Sequence, residues 1–102
     1  MYHLKVEADF SADPIWCIKC GCNLDIRLFS ISNELIKELK NWILKYGEWI
    51  DMEDDTLVSN GVELEAQHNR IGRELTERVK KELGEGYDVI FSPSTFASNY
   101  PM

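Results

Sequence analysis

The chain has 102 residues and a net charge of −7, with 44% apolar and 28% charged residues. That length suits one domain with a modest core, and the balance excludes a disordered or fibrous chain. No apolar run approaches the roughly 18 residues of a membrane span, and the surplus of acids argues against nucleic acid, which needs a basic face.

The opening segment MYHLKVEADF lacks the continuous apolar core of a signal peptide, so a cytoplasmic location is expected. Within it Tyr2, Leu4, Val6, Ala8 and Phe10 alternate with His3, Lys5, Glu7 and Asp9, the period of a half-buried strand. Ser11–Pro14 breaks that strand. The stretch WCIKCGCN follows, with Cys17, Cys20 and Cys22 close together and Gly21 and Asn23 supplying turn chemistry. Leu24, Ile26 and Leu28 alternate with Asp25 and Arg27, which predicts a second strand over 24–29.

Leu35, Ile36, Leu39, Trp42, Ile43, Tyr46, Trp49 and Ile50 form one apolar stripe at helical spacing. Ser32 is its expected N-cap, Ile31 can staple onto Ile36, and Gly47 marks its end, with Trp49 and Ile50 in a further turn. The acidic stretch 51–55 leads to a second helix, with Asn60 and Glu63 matching a capping box and Gly84 a stop. Leu64, His68, Ile71, Leu75, Val79 and Leu83 trace its buried stripe, and Gly72 beside it permits close approach of another backbone. Tyr87, Val89 and Phe91 predict a last strand, ended by Pro93.

The expected fold is therefore α+β, in the order β-β-α-α-β. A two-helix amphipathic hairpin packs on a small, mainly antiparallel sheet. Residues 1–92 make one domain and 93–102 a loosely held tail. A sheet this small leaves an edge that a second copy could extend, which makes a homodimer an open alternative.

Cys17-x-x-Cys20-Gly has the half-site spacing of a zinc knuckle, with Cys22 as a third thiolate. There is no second CxxC, so a fourth ligand would have to come from a distant residue; His68 and His3 are the only histidines. The bland alternative is thiols filling a small turn beside Trp16. A redox role needs a helix behind the first thiol, and none is predicted there. His68, on an apolar stripe, reads first as a core histidine. No catalytic motif accompanies it, so no enzymatic activity is expected.

Between Tyr46 and Ala66 lie seven acids and no Lys or Arg. Asp51, Glu53 and Asp55 fit the first positions of a calcium loop, but Thr56 stands where Gly is required and Val62 where the bidentate acid is required. The run is either a solvated loop or a patch that docks a basic protein. Trp42, Trp49 and Tyr46 share the adjoining helical face, as core or as binding anchors.

ADFSADPIW, LFSISNELIKELKNW and HNRIGRELTERVKKELGEGYDVIF together resemble small uncharacterised bacterial proteins of Bacillus-like type, a likeness that covers most of the chain and implies no catalytic residue. By size and charge alone, the chain is also similar to toxin-neutralising immunity proteins. The expected function is a non-enzymatic, inhibitor- or immunity-type binding protein. Trp42, Trp49, Asp51, Glu53, Asp54 and Asp55 would meet a basic protein partner, without cofactor, membrane or nucleic acid. The alternative is a zinc-stabilised domain using Cys17, Cys20 and Cys22.

Overall fold

A computed structural model of the chain describes residues 2–99. Strand β1, Tyr2–Val6, turns Leu4 and Val6 inward, where both are buried. Strand β2, Ile15–Cys17, pairs with it antiparallel, with Leu4 opposite Cys17 and Val6 opposite Ile15. Strand β3, Asn23–Leu24, pairs antiparallel with β2. The cysteine stretch is thus itself a hairpin: Cys17 N–H donates to Cys22 O at 2.9 Å, and Gly21, at φ +73°, closes the turn.

The second strand expected over 24–29 stops at Leu24. Residues Ile26–Leu28 form a 3₁₀ turn instead. The cause is local polar competition: the Asp25 carboxylate accepts the Arg27 N–H at 2.9 Å, and Asp13 accepts the Ile26 N–H at 3.0 Å. Ile26 is fully buried as the alternation requires, but Leu28 is left on the surface.

Helix α1, Asn33–Leu44, begins at Ser32, whose hydroxyl accepts the Leu35 N–H. Its stripe of Leu35, Leu39 and Trp42 is buried, each Leu contributing roughly 2 kcal/mol relative to exposure. The helix ends at Leu44, three residues before the Gly47 that the sequence marks as its end. Gly47 takes φ +86°, and the chain turns into a two-stranded hairpin of β4, Ile50–Asp51, and β5, Thr56–Leu57.

Helix α2, Gly61–Leu83, follows. The expected capping box is not formed: Asn60 sits at ψ 29° and its side chain makes no cap bond, because the extended conformation that aims an N-cap side chain is absent. Its buried stripe keeps His68, Leu75 and Val79, but Gly72 takes the inward place expected of Ile71, which is exposed. Strand β6, Tyr87–Phe91, then runs parallel to β1, giving a mixed sheet in the order β3-β2-β1-β6.

The main core joins the sheet to both helices through Val6, Ile15, Ile26, Leu35, Leu39, Val79 and Val89. A second, smaller core of Trp49, Ile50 and Ala97 seats the β4–β5 hairpin, with Tyr46, Leu57, Leu64 and Phe96 around it. Ala97 reaches it because residues 94–97 are tied to α2. Glu65 Oε2 accepts the Ser94 hydroxyl at 2.9 Å and the Ala97 N–H at 2.8 Å, while the Asn69 side chain exchanges two hydrogen bonds with the Ser94 backbone. The last part of the tail expected to be loose, residues 100–102, lies outside the described residues. Among those described, no helix is long and apolar enough to cross a membrane.

Candidate protein-binding surface

The β4–β5 hairpin sorts its acids by role. Asp51 is half-buried, and its Oδ1 accepts the N–H groups of Glu53 at 3.0 Å and Asp54 at 3.2 Å. An Asp that bonds the backbone two and three residues on builds the turn itself. Glu53, Asp54 and Asp55 project from that turn and are exposed. Neither Glu53 nor Asp54 takes part in an ion pair among the described residues. Glu48 and Glu63, on either side of the hairpin in sequence, are exposed as well. Glu65 is spent internally on Ser94 and Ala97.

Trp42 and Trp49, the expected aromatic anchors, are 4% and 0% exposed. Both are core residues, and neither has a face to offer a partner. They enclose His68. Trp42 stacks on its ring at 4.6 Å and 9°, and Trp49 lies 5.1 Å away. The two helices are cross-linked there: Trp42 Nε1–H donates to His68 O at 2.9 Å, and His68 Nε2 lies 3.0 Å from Trp42 O. A carbonyl only accepts, so Nε2 carries the proton. Burial is the main cause holding the His68 pKa below its ordinary 6.5, partly opposed by the bond to Trp42 O. His68 is therefore a neutral clamp between helices.

Two apolar groups at the surface beside the hairpin are Phe10, 51% exposed, and Met52, 58% exposed. Both lie over Gly47, where an added Cβ would meet the Phe10 ring at 2.7 Å and Met52 Cε at 3.6 Å. Phe10 also packs on Tyr46 at 4.8 Å and Phe96 at 6.1 Å. Burial raises the Tyr46 pKa, and the nearby carboxylates of Asp9, Glu7 and Glu65 raise it further against a hydrogen bond from Ser94. The alternation predicts a strand as far as Phe10, but β1 stops at Val6, which frees Phe10 to leave the sheet.

The three cysteines are free thiols, Cys20 and Cys22 exposed and Cys17 half-buried. Among the described residues no group of three His, Cys, Asp or Glu side chains is placed to hold a metal ion, so the zinc alternative gains no support. His3 meets Asp88 at 3.2 Å on the exposed side of the sheet. No thiol or hydroxyl is hydrogen-bonded to its ring among the described residues.

A family model described as Serratia CdiI immunity protein-like matches residues 2–94. The chain belongs to that family. No curated protein matches it.

Proposed function

We propose that this protein neutralises a toxin by binding it, and that the β4–β5 hairpin is the face that meets the toxin. Membership of an immunity protein-like family supports a protein-binding, inhibitory role. The observation that carries the choice of surface is the outward pair Glu53 and Asp54, held on a turn that Asp51 fixes and without Lys or Arg partners. Beside them the exposed Phe10 and Met52 meet over Gly47, with the exposed Asp9 next to Phe10 in sequence. Aromatic and Met side chains beside exposed charge suit an interface core and its rim. The toxin face fitting this surface is basic, and its active centre needs no chemistry from this chain, which acts by occupying it.

The test starts from the toxin that co-purifies with the tagged chain from its own cells. Purified chain should silence that toxin, and Glu53→Lys with Asp54→Lys should slow association about tenfold at low salt. Asp51 is left intact because its loss would unmake the turn. A chain that relieves no toxicity removes the immunity role. Unchanged association by the double variant removes the hairpin from the interface.

A further inference from the structure

We propose that the outer edge of β6 is a docking site for an extended segment of another protein, one carrying an acidic side chain towards α2. The pairing with β1 decides which groups are left over. Tyr2 N–H donates to Gly86 O at 3.1 Å and Ser92 N–H to Val6 O at 2.9 Å, in the register Tyr2 to Tyr87 through Val6 to Phe91. Even-numbered residues of this strand therefore face β1, and Tyr87, Val89 and Phe91 direct N–H and C=O to the other side. β6 is the last strand of its sheet, and among the described residues these groups make no hydrogen bond. Tyr87 and Phe91 are half-buried, so their outward groups lie within reach of a partner strand, while Val89 between them is 1% exposed and is reached as the groove side chains give way.

Edge strands are usually blunted by Lys, Pro, a bulge or brevity. YDVIF is five residues long, contains neither Lys nor Pro, and its one charged side chain, Asp88, is engaged by His3 at 3.2 Å. Beside it runs a groove of about 510 Å³, with Val89, Ile90, Phe91 and Pro93 on one wall and Arg73, Thr76, Glu77 and Lys80 of α2 on the other. Glu77 is already engaged by Lys80 at 3.2 Å, while Arg73 lies over the Phe91 ring at 5.5 Å with no carboxylate partner among the described residues. An added strand would satisfy the open backbone groups, place an acid against Arg73, and lay an apolar residue beside the exposed Ile90 on the opposite face.

A second copy fits less well. A twofold axis through Val89 would set Arg73 of one copy against Lys80 of the other and Glu77 against Glu77, like charge on like, between chains each of net charge −7. The assignment stands on the strand edge and does not need the acidic hairpin. The two surfaces are nonetheless within one partner's reach, since Arg73 lies twelve residues beyond Gly61, about 18 Å along the helix.

The probe is a cyclic, hairpin-constrained peptide presenting Thr-Val-Glu-Val-Thr on its free edge, titrated into the ¹⁵N-labelled full chain. Saturable shifts of the Tyr87, Val89 and Phe91 amides are expected, abolished when the peptide's free-edge nitrogens are methylated. Arg73→Glu should weaken binding about fivefold, and a Lys-for-Glu peptide should recover it. No shift up to about 5 mM, beyond the weakest affinity a preorganised strand should have, would overturn the assignment. So would shifts confined to other surfaces, or binding that survives methylation. Concentration-dependent protection of the same amides without peptide would overturn it in favour of self-pairing.

Discussion

Gly72 sits where both helices and the sheet converge, and replacing it with Ala tests that convergence directly. The added methyl would stand 2.5 Å from Phe91 Cε1 and 2.6 Å from Trp42 Cζ2. Trp42 has little room to give, because its Nε1–H is bonded to His68 O at 2.9 Å and its ring is stacked on His68. Phe91 is fixed in β6 and capped by Arg73. Helix propensity favours Ala by about 1 kcal/mol, while overpacking costs about 1–3 kcal/mol. Two rings from two separate elements place the cost near the upper end, so the expected net loss is about 2 kcal/mol, or about 10 °C in Tm for a domain of this size. Urea unfolding followed by tryptophan fluorescence measures it. Gly86→Ala is the control, since a Cβ there meets nothing within 4 Å and the change should fall within about 0.5 kcal/mol. Adding Phe91→Leu should return part of the Gly72→Ala loss. A Gly72→Ala protein as stable as the parent would refute the claim that α1, α2 and β6 are close-packed at this point.

His68 predicts an acid-side loss of stability. Its folded pKa is depressed by burial, so below the ordinary 6.5 the unfolded chain takes up a proton that the folded ring resists, and stability falls as pH drops until the folded ring titrates. The loss between pH 7 and pH 5.5 is bounded at about 1 kcal/mol by the unfolded pKa alone; urea midpoints should fall in the parent and not in His68→Phe, and a flat parent profile would contradict the neutral clamp. Glu65→Ala removes the acceptor for both Ser94 and Ala97, at a cost of about 2 kcal/mol. It should expose the chain beyond residue 93 to limited proteolysis, and unchanged cleavage would mean that the Asn69–Ser94 bonds and packing hold segment 94–97 without Glu65.

Periodicity carried the long elements. The stripe Leu35–Leu39–Trp42, the Ser32 cap and the alternation of Tyr87–Phe91 each depend on neighbours within a few residues, and each is where the pattern places it. The misreadings arose where a polar side chain outbid the pattern. Asp13 and Asp25 turned a plausible strand into a 3₁₀ turn, whereas the glycine at 47, at φ +86°, ends the first helix close to where the sequence marks it. Trp49 remained apolar-side-in, but in a second core that no single helix stripe could reveal, because Ala97 and Phe96 arrive from the far end of the chain. The surface pairing of Phe10 with Met52 over Gly47 is equally non-local. Acid content was legible at once. The division of labour within it was not, since only geometry separates Asp51 and Glu65, which bond the backbone, from Glu53 and Asp54, which do not.

That division bears on how such a surface would act. A charged loop that is free to move loses part of its attraction in being ordered on binding, whereas charges on a preformed turn do not. Here Ile50 and Trp49 sink the base of the hairpin into a core, Leu57 packs beside them, and Asp51 ties the tip to itself. Exposed charges at the rim act mainly on encounter, and buried apolar contacts mainly on residence time. On the proposed reading, then, Glu53→Lys with Asp54→Lys alters the association rate and its salt dependence, while truncating Phe10 or Met52 alters dissociation. A variant at the hairpin tip that left association untouched but sped release would place the tip inside the contact rather than at its rim, and would shift the centre of the interface from Phe10 to the turn.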